Sequence, residues 1–538
     1  MLDSAVPNLL VDGFRNWAAS EPDSTALVYF DTPMSVAALD AATDALAVGL
    51  AANGLRSGDR VALYLQNVPQ YVMGLLGIWK AGGIAVAINP ILTPAEVGKL
   101  LADCAPRFVI ALDELCSAEC MGVFAAAGVD MVLSTSPFDW AHAVDERVLG
   151  GDRRAIPPGS VDLLDFLRRW MGEGPNPVLI DPYGVAVITY TSGTTGVPKG
   201  ALNTHRNIAC GAATYVRAFE LAGRDTILGI APLFHVTGLS GHIGCALAAR
   251  APLVLCYRFQ PQLVLELIRR HQVTFTVAAL TVFIALTEAM AEAGSGGTMS
   301  TLTKVASGGA PVAAAVVERF EATFGPYIRN VYGMTETTAP VFVVPDRTRA
   351  PQEPHTGALS VGTAVEGVQA RVLDEDGQDV PSGVVGEIAV RGPQIVPGYW
   401  RNPDATTAAF RDGWLLTGDV GYIDDEGWFF LVDRKKDMII ASGYKVWPRE
   451  VEDVLYEHEA VLEAAVVGRP DPYRGETVAA FVSLRAGKHV EPEDLVAFCR
   501  QRLAAYKIPR LVQIVGSVPK TATGKVMRRI LRNDPPSS

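Results

Sequence analysis

Residues 185–200 read VAVITYTSGTTGVPKG, and this stretch constrains the chain more than any other. Val185 to Tyr190 is an apolar, β-branched run and is expected to form a buried strand. It breaks into Thr191, Ser192, Gly193, Thr194, Thr195 and Gly196, a small loop closed by Pro198 and Lys199. Glycines let consecutive backbone N–H groups turn toward one point, hydroxyls add donors, and the lysine adds a fixed positive charge. Those are the parts of a phosphate cradle. The spacing is not that of a Walker A loop, because Val197 and Pro198 separate Gly196 from Lys199 and a glycine follows the lysine. A generic Ser/Thr/Gly loop is an ordinary surface turn; the fixed order of residues directly after a buried strand argues for phosphate.

The rest of the chain bounds what such a loop can serve. At 538 residues it exceeds one ordinary core, so two or more domains are expected. Hydrophobic residues at 49% and charged residues at 19% indicate a globular protein. A net charge of −12 with no long basic block argues against a general nucleic-acid binder. Seven cysteines (Cys104, Cys116, Cys120, Cys210, Cys245, Cys256, Cys499) form no CxxC pair and have no His or Cys cluster beside them, the pattern of reduced thiols. The opening MLDSAVPNLL lacks the basic region of a signal peptide, and the most apolar window, 239–256, is interrupted by His242 and Arg250. A cytoplasmic protein without a transmembrane segment is expected; peripheral membrane contact and the choice between monomer and homodimer stay open.

Helical and strand patterns alternate through residues 1–180. Helices are expected at 35–54, 71–82 and 94–104, and strands at 60–66, 84–89 and 108–111. This βαβα rhythm points to a mostly parallel sheet covered by helices. Residues 150–174 read as a looser, Gly/Pro- and charge-rich connection. A second α/β layer follows, with helices at 205–219, 261–271 and 313–324 and strands at 226–231, 253–257, 273–278 and 304–307. Segments 386–400 and 413–428 are β-rich with Gly/Pro/Asp turns, a barrel-like subdomain. The last hundred or so residues carry an α/β pattern of their own.

The loop string resembles the signature of the adenylate-forming superfamily, which includes acyl-CoA synthetases, luciferases and the adenylation domains of peptide synthetases. Further strings in the family's order extend the resemblance over the whole chain. APLFHVTG (231–238) looks like its second core motif and implies that His235, with Val236 and Thr237, borders the acyl pocket. Peptide-synthetase domains usually carry an Asp there to pair with a substrate ammonium. A histidine makes an α-amino acid substrate unfavourable. SGGAP (307–311) breaks a strand with glycines, and bare backbone there lets a flat ring lie close. The family uses the stretch matching Gly308, Gly309, Ala310 and Pro311 against adenine and along the acyl tunnel.

NVYGMTETT (330–338) supplies an aromatic face, a hydroxyl and a carboxylate. A lone hard carboxylate together with phosphate oxygens suits magnesium. The resemblance implies that Glu336 holds Mg²⁺, that Thr335 contacts phosphate, and that Tyr332 stacks on adenine with Met334 beside it. Short-acid relatives place a Trp where this chain has Gly333, so an open channel for a longer or bulkier acid is expected. Thr338, Ala339, Pro340 and Val341 are small or apolar, which favours a hydrophobic acid. In TGD, the Asp419 carboxylate suits a ribose diol. Arg434 in VDRKK matches a ribose- or phosphate-contacting arginine, and Lys436 matches the family hinge.

Beyond the hinge, Ser442, Gly443 and Tyr444 match a loop lining the pantetheine tunnel of CoA ligases. Arg474 and Lys507 match CoA-phosphate contacts. Lys525, in PKTATGKVMRR, matches the lysine that bridges the substrate carboxylate and the α-phosphate. The expected architecture is therefore an N-terminal AMP-binding domain (1–434) of two α/β subdomains plus the β-barrel-like subdomain. A small mobile α+β domain (435–538) follows. The expected activity joins a small-molecule carboxylic acid to CoA through an acyl-adenylate, using ATP and Mg²⁺. An amide ligase delivering the acyl group to an amine, a ligase loading a carrier protein, and a non-catalytic nucleotide-binding member of the fold are the alternatives.

Overall fold

The computed structural model describes residues 9–191, 198–292, 301–309, 312–338, 340–353, 357–434, 437–441, 444–471, 475–521 and 524–533. Two large, mainly parallel sheets form the N-terminal part. The first has seven strands in the order Val161–Asp162, Met131–Thr135, Phe108–Leu112, Arg60–Tyr64, Ile84–Ala87, Val185–Thr191 and Lys199–Thr204. The last pair is antiparallel, with Thr191 opposite Lys199, so the phosphate-loop string joins two strands at a sheet edge. Strands such as Phe108–Leu112 are buried at every position, as expected when helices cover both faces.

The expected helices form with recognisable local causes. Helix Val36–Ala52 begins at Ser35, whose hydroxyl accepts from the Ala38 N–H. Helix Pro94–Cys104 begins in a reciprocal capping box between Thr93 and Glu96. Residues 150–174 depart from the expectation of a loose connection: Leu163–Trp170 is an α-helix capped by Asp162. Its Leu163, Phe166 and Leu167 are buried, a helical stripe hidden in the sequence by the Gly and Pro residues around it. Phe166 and Trp170 lie where Gly49 leaves room; a Cβ at Gly49 would come within 2.4 Å of the Phe166 ring.

The second sheet has nine strands, with Ile328–Tyr332, Lys304–Ser307, Phe275–Ala278 and Ile227–Leu228 as consecutive parallel neighbours. Their carboxyl ends therefore emerge side by side, where open α/β sheets place ligands. A third, antiparallel sheet follows, in which the long strand Trp414–Ile423 pairs with Gly386–Arg391, Phe410–Arg411 and Phe429–Arg434. The C-terminal part has its own sheet, built on the hairpin Val461–Asp471/Gly475–Leu484, and its own core around Val466, Val482 and Leu495. It rests on the N-terminal part through an Arg485–Glu288 ion pair and an Arg319 guanidinium donating to the Tyr456 carbonyl. The large-plus-small α/β architecture agrees with the reading of the sequence.

The seven cysteines are unpaired and buried. Among the described residues no helix is long and apolar enough to cross a membrane. Burial holds His205 at a pKa of about 4 and His242 at about 3, the latter accepting from the Ala231 N–H. Unfolding returns both to the ordinary range near pH 6.5, so between there and pH 4 the unfolded chain binds more protons. Stability contributed by the neutral rings is thus present above the unfolded value and lost on acidification. The melting temperature should fall as pH drops from 7.5 to 5, and His242→Asn should flatten that slope; a flat profile in the parent protein would contradict it.

Candidate active site

Four loops leaving adjacent strand ends form one wall of the candidate site. After Ile227–Leu228 the chain reaches His235, whose Nδ1 accepts from the Thr237 N–H at 3.3 Å and lies 3.1 Å from the Thr237 hydroxyl. That bond places the ring proton on Nε2. Val236 and Thr237 lead into a π-helical turn, Leu239–Gly244, where Ser240 donates to the Thr338 carbonyl at 2.6 Å. The loop after Lys304–Ser307 carries Gly308, whose missing Cβ would meet the Val331 carbonyl at 2.6 Å. Only bare backbone lets the two strands approach so closely. Gly309 next to it faces open space.

The loop after Ile328–Tyr332 supplies most of the remaining polar groups. Tyr332 donates to the Asp419 carboxylate at 2.6 Å, and its ring is stacked on Phe342, 5.3 Å away. The turn Thr335–Thr337 presents Glu336, 7% exposed, whose Oε1 accepts from the Tyr399 hydroxyl at 2.7 Å. Gly333 and Met334 connect Tyr332 to this turn, and Pro340 follows it, with its carbonyl accepting from Gln394 at 3.3 Å. Asn203, on the strand after the phosphate loop, donates to the Thr335 carbonyl at 3.2 Å and to the Thr338 hydroxyl at 2.8 Å. Lys199 opens that same strand, and its ammonium lies 5.3 Å from the centre of the Tyr399 ring.

Lys525 comes to this wall from the C-terminal domain. Its turn is closed by the Thr521 N–H donating to the Lys525 carbonyl at 2.8 Å, with Gly524 at φ +78°. A Cβ on Gly524 would lie 2.6 Å from the Thr281 hydroxyl, so the turn is seated against the carboxyl end of Phe275–Ala278. Burial, and then the Lys525 ammonium, hold His235 down at about 4, which makes the ring neutral in ordinary buffers.

The structure thus assembles Lys525, His235, Glu336, Thr335, Tyr332 and Asp419 around the strand ends, with Thr191 and Lys199 at the mouth of the phosphate loop. The backbone of Arg434 pairs with Asp419 across the third sheet. Ser192, Gly193, Thr194, Thr195, Gly196, Ala310, Pro311, Lys436, Ser442, Gly443 and Arg474 lie outside the described residues. Of the remaining expected CoA contacts, Tyr444 stacks on Tyr506 at 4.8 Å, and Lys507 is ion-paired with Glu450. Both sit together on the small domain. Sequence reading missed Asn203 and Tyr399; the latter stands in PGYW (397–400), at the end of the β-rich segment 386–400, but a tyrosine after Pro-Gly gives no sign of the carboxylate it will meet.

A family model for AMP-binding enzymes matches residues 14–400, and one for the AMP-binding enzyme C-terminal domain matches 450–525. The chain belongs to the AMP-binding enzyme family. A long-chain-fatty-acid–CoA ligase of Bacillus subtilis is 36% identical over 96% of this chain and 92% of its own. Two solved structures are also similar. An anthranilate CoA ligase in complex with anthranoyl-AMP superposes with a TM-score of 0.87 at 26% identity, covering 99% of this chain and 98% of that one. An o-succinylbenzoate CoA synthetase of Bacillus subtilis, with ATP and a magnesium ion, gives 0.79 at 28% identity over 97% and 99%.

This AMP-binding enzyme also passes a chemical test for magnesium. Among the described residues no three His, Cys, Asp or Glu side chains gather as a metal cluster. Glu336 is a lone, largely buried carboxylate with one oxygen engaged by Tyr399. A single hard oxygen donor fits a magnesium ion that takes its other ligands from phosphate and water.

The Asn203 amide ties the Glu336 turn to the strand of Lys199. Asn203→Ala should cost about 1–3 kcal/mol, the usual consequence of stranding a buried hydrogen-bonding partner. Chemical denaturation checks this, and the KM for ATP should rise with it; an unchanged midpoint would show the amide to be dispensable.

Proposed function

We propose that this enzyme activates a medium- to long-chain fatty acid, or a comparably bulky hydrophobic acid, and transfers the acyl group to CoA. The observation that carries the proposal is the seating of the Lys525 turn at the strand ends, close enough for its ammonium to act on His235, while Tyr332 and Tyr399 hold Asp419 and Glu336 around those ends. The long-chain-fatty-acid–CoA ligase similarity supports the acid class, and Gly333 leaves the channel open where a large side chain would shorten it.

In the first half-reaction a carboxylate oxygen attacks the α-phosphorus. The bond to the bridging oxygen breaks, and pyrophosphate leaves with its electron pair. The obstacle is an anion approaching a polyanion, so the useful protein groups are those that set positive potential there before reaction. Lys525 serves the substrate carboxylate and α-phosphate, while Lys199 and the 191–199 loop serve the β- and γ-phosphates. Asp419 accepts the ribose hydroxyls next to Tyr332, and Tyr332 offers adenine a ring already braced by Phe342. Glu336 would hold Mg²⁺, which when bound neutralises phosphate charge. His235 stays neutral, walling the acyl pocket without competing for the carboxylate.

In the second half-reaction the CoA sulfur attacks the carbonyl carbon, the carbon–oxygen bond to AMP breaks, and the thiol proton passes to solvent. Lys525 is then superfluous, and the reading assigns residues 435–538 a rotation about Lys436 that withdraws it. The Arg485–Glu288 pair is the kind of contact such a rotation exchanges, since ionic side chains rehydrate where apolar ones would not. Tyr444 and Lys507, with Ser442, Gly443 and Arg474, are assigned to CoA on the face that would then arrive.

Product analysis by mass spectrometry, with ATP, Mg²⁺ and a panel of fatty and aryl acids, should give acyl-CoA when CoA is offered and no amide when an amine is offered. Lys525→Ala should lower adenylate formation by about 100- to 1,000-fold, the scale for removing one transition-state charge donor. It should leave thioester formation from synthetic acyl-adenylate and CoA largely intact. Equal loss in both halves would overturn the assignment of Lys525 to the first. Gly333→Trp should shift preference toward short acids in the same assay; an unchanged chain-length profile would remove Gly333 from the pocket.

A further inference from the structure

Tyr399 stands where three segments meet: its own 396–400 stretch, the strand of Lys199 and the turn of Glu336. Its backbone is pinned on both sides: the Leu202 N–H donates to the Gly398 carbonyl at 3.1 Å, and the Trp400 N–H donates to the Gly200 carbonyl at 2.7 Å. The Tyr399 N–H itself donates to the Thr406 hydroxyl at 3.0 Å, and the Trp400 indole donates to the Asp103 carbonyl at 3.1 Å. A few residues earlier, the Val396 N–H donates to the Glu336 carbonyl at 2.9 Å. The tyrosine is therefore fixed against the strand of Lys199 on one side and the turn of Glu336 on the other. Its ring is 9% exposed.

Two contacts leave that fixed ring. The hydroxyl donates to Glu336 Oε1 at 2.7 Å, and the ring face lies 5.3 Å from the Lys199 ammonium. We propose that Tyr399 is a positioning residue that holds Glu336 in its metal-binding orientation and, through its ring, couples that carboxylate to the phosphate-loop lysine. This inference rests on the reading of Glu336 as the magnesium carboxylate.

A glutamate side chain has three rotatable bonds, so a lone metal carboxylate that must wait for MgATP loses affinity to its own freedom unless something holds it. Tyr399 provides that hold by occupying Oε1, while Oε2 accepts from no other described residue and is left for the metal. The hydroxyl is the donor of the pair, because a carboxylate oxygen can only accept. The ring also gives Lys199 a preferred place before phosphate arrives, because an ammonium is drawn to the face of an aromatic ring. One rigid side chain thus sets the spacing between a cation and an anion that must grip the same triphosphate.

Three variants test this: Tyr399→Phe, which deletes only the hydroxyl; Tyr399→Leu, which also deletes the ring; and Glu336→Gln as the reference. Mg²⁺ is titrated calorimetrically into protein saturated with a non-hydrolysable ATP analogue. In parallel, ATP–pyrophosphate exchange is followed as a function of free Mg²⁺. Tyr399→Phe should weaken Mg²⁺ binding about 10- to 100-fold, the range for losing the partner that orients a metal ligand. Saturating Mg²⁺ should restore most of the exchange rate, and the KM for the acid should not move. Tyr399→Leu should additionally raise the KM for ATP, through Lys199.

If Tyr399→Phe binds Mg²⁺ like the parent while Glu336→Gln does not, the role of Glu336 stands and that of Tyr399 is overturned. If Glu336→Gln itself leaves Mg²⁺ affinity unchanged, the underlying reading of the carboxylate fails instead. Should Tyr399→Leu not fold, Tyr399→Trp keeps a ring without the hydroxyl. It should show the Mg²⁺ defect without the ATP defect; a normal Mg²⁺ affinity there also counts against the proposal.

Discussion

The adenylation chemistry proposed for this enzyme depends on one close approach, that of Gly524, beside Lys525, to Thr281 at the carboxyl end of strand Phe275–Ala278. Gly524 makes it feasible twice over. Its backbone sits in the left-handed region, at φ +78°, and any side chain would collide with Thr281. With that contact made, the Lys525 ammonium stands beside His235 and helps keep it neutral. In the proposed cycle a catalytic cation is thus carried by a domain that undocks, on a turn whose seating needs the bare backbone of Gly524.

The other half of the site is built for the opposite property. Asn203 bonds the Glu336 turn to the phosphate-loop strand, Tyr399 bonds Glu336 directly, and Tyr332 bonds Asp419 across to the third sheet. Phe342 and Phe429, stacked 4.1 Å apart, continue the Tyr332 ring into that subdomain's core. These are buried, short-range contacts between segments far apart in sequence, and breaking one strands its partner. These contacts tie three sheets into one frame, and the proposed cycle uses that frame for the nucleotide while the small domain brings Lys525 to it.

Much of this was legible in the residues. The strand Val185–Thr191, the lysine that opens the next strand and the YGMTE string announce themselves because glycine and hydroxyl spacing is local chemistry, while 192–196, Ala310 and Pro311 lie outside the described residues. The helix–strand rhythm of residues 35–112 likewise follows from periodicity and capping, as at Thr93 and Glu96. Two things escaped, for different reasons. The helix Leu163–Trp170 is short, and its apolar stripe gains meaning only against Gly49, more than a hundred residues away. Tyr399 and Asn203 are ordinary residues whose roles come entirely from partners brought in by the fold. The expected CoA contacts are intermediate: Lys507 and Tyr444 do lie together, yet Lys507 is already paired with Glu450, and local sequence does not tell a committed cation from an available one.

The neutral state of His235 bears on which acids such a site accepts. A protonated imidazole next to the Lys525 ammonium would face like-charge repulsion on top of the cost of burial, and both effects act in the same direction. Of the residues that the resemblance places at the acyl pocket, His235 is neutral, and Val236, Thr237, Gly308, Gly333 and Pro340 carry no charge. A substrate ammonium would be buried there without a partner, and so would a second carboxylate once Lys525 is engaged by the first. A single acid group attached to an apolar body satisfies the whole surface at once. Given the pocket that the resemblance implies, that is a physical reason for reading the substrate as a hydrophobic monocarboxylic acid.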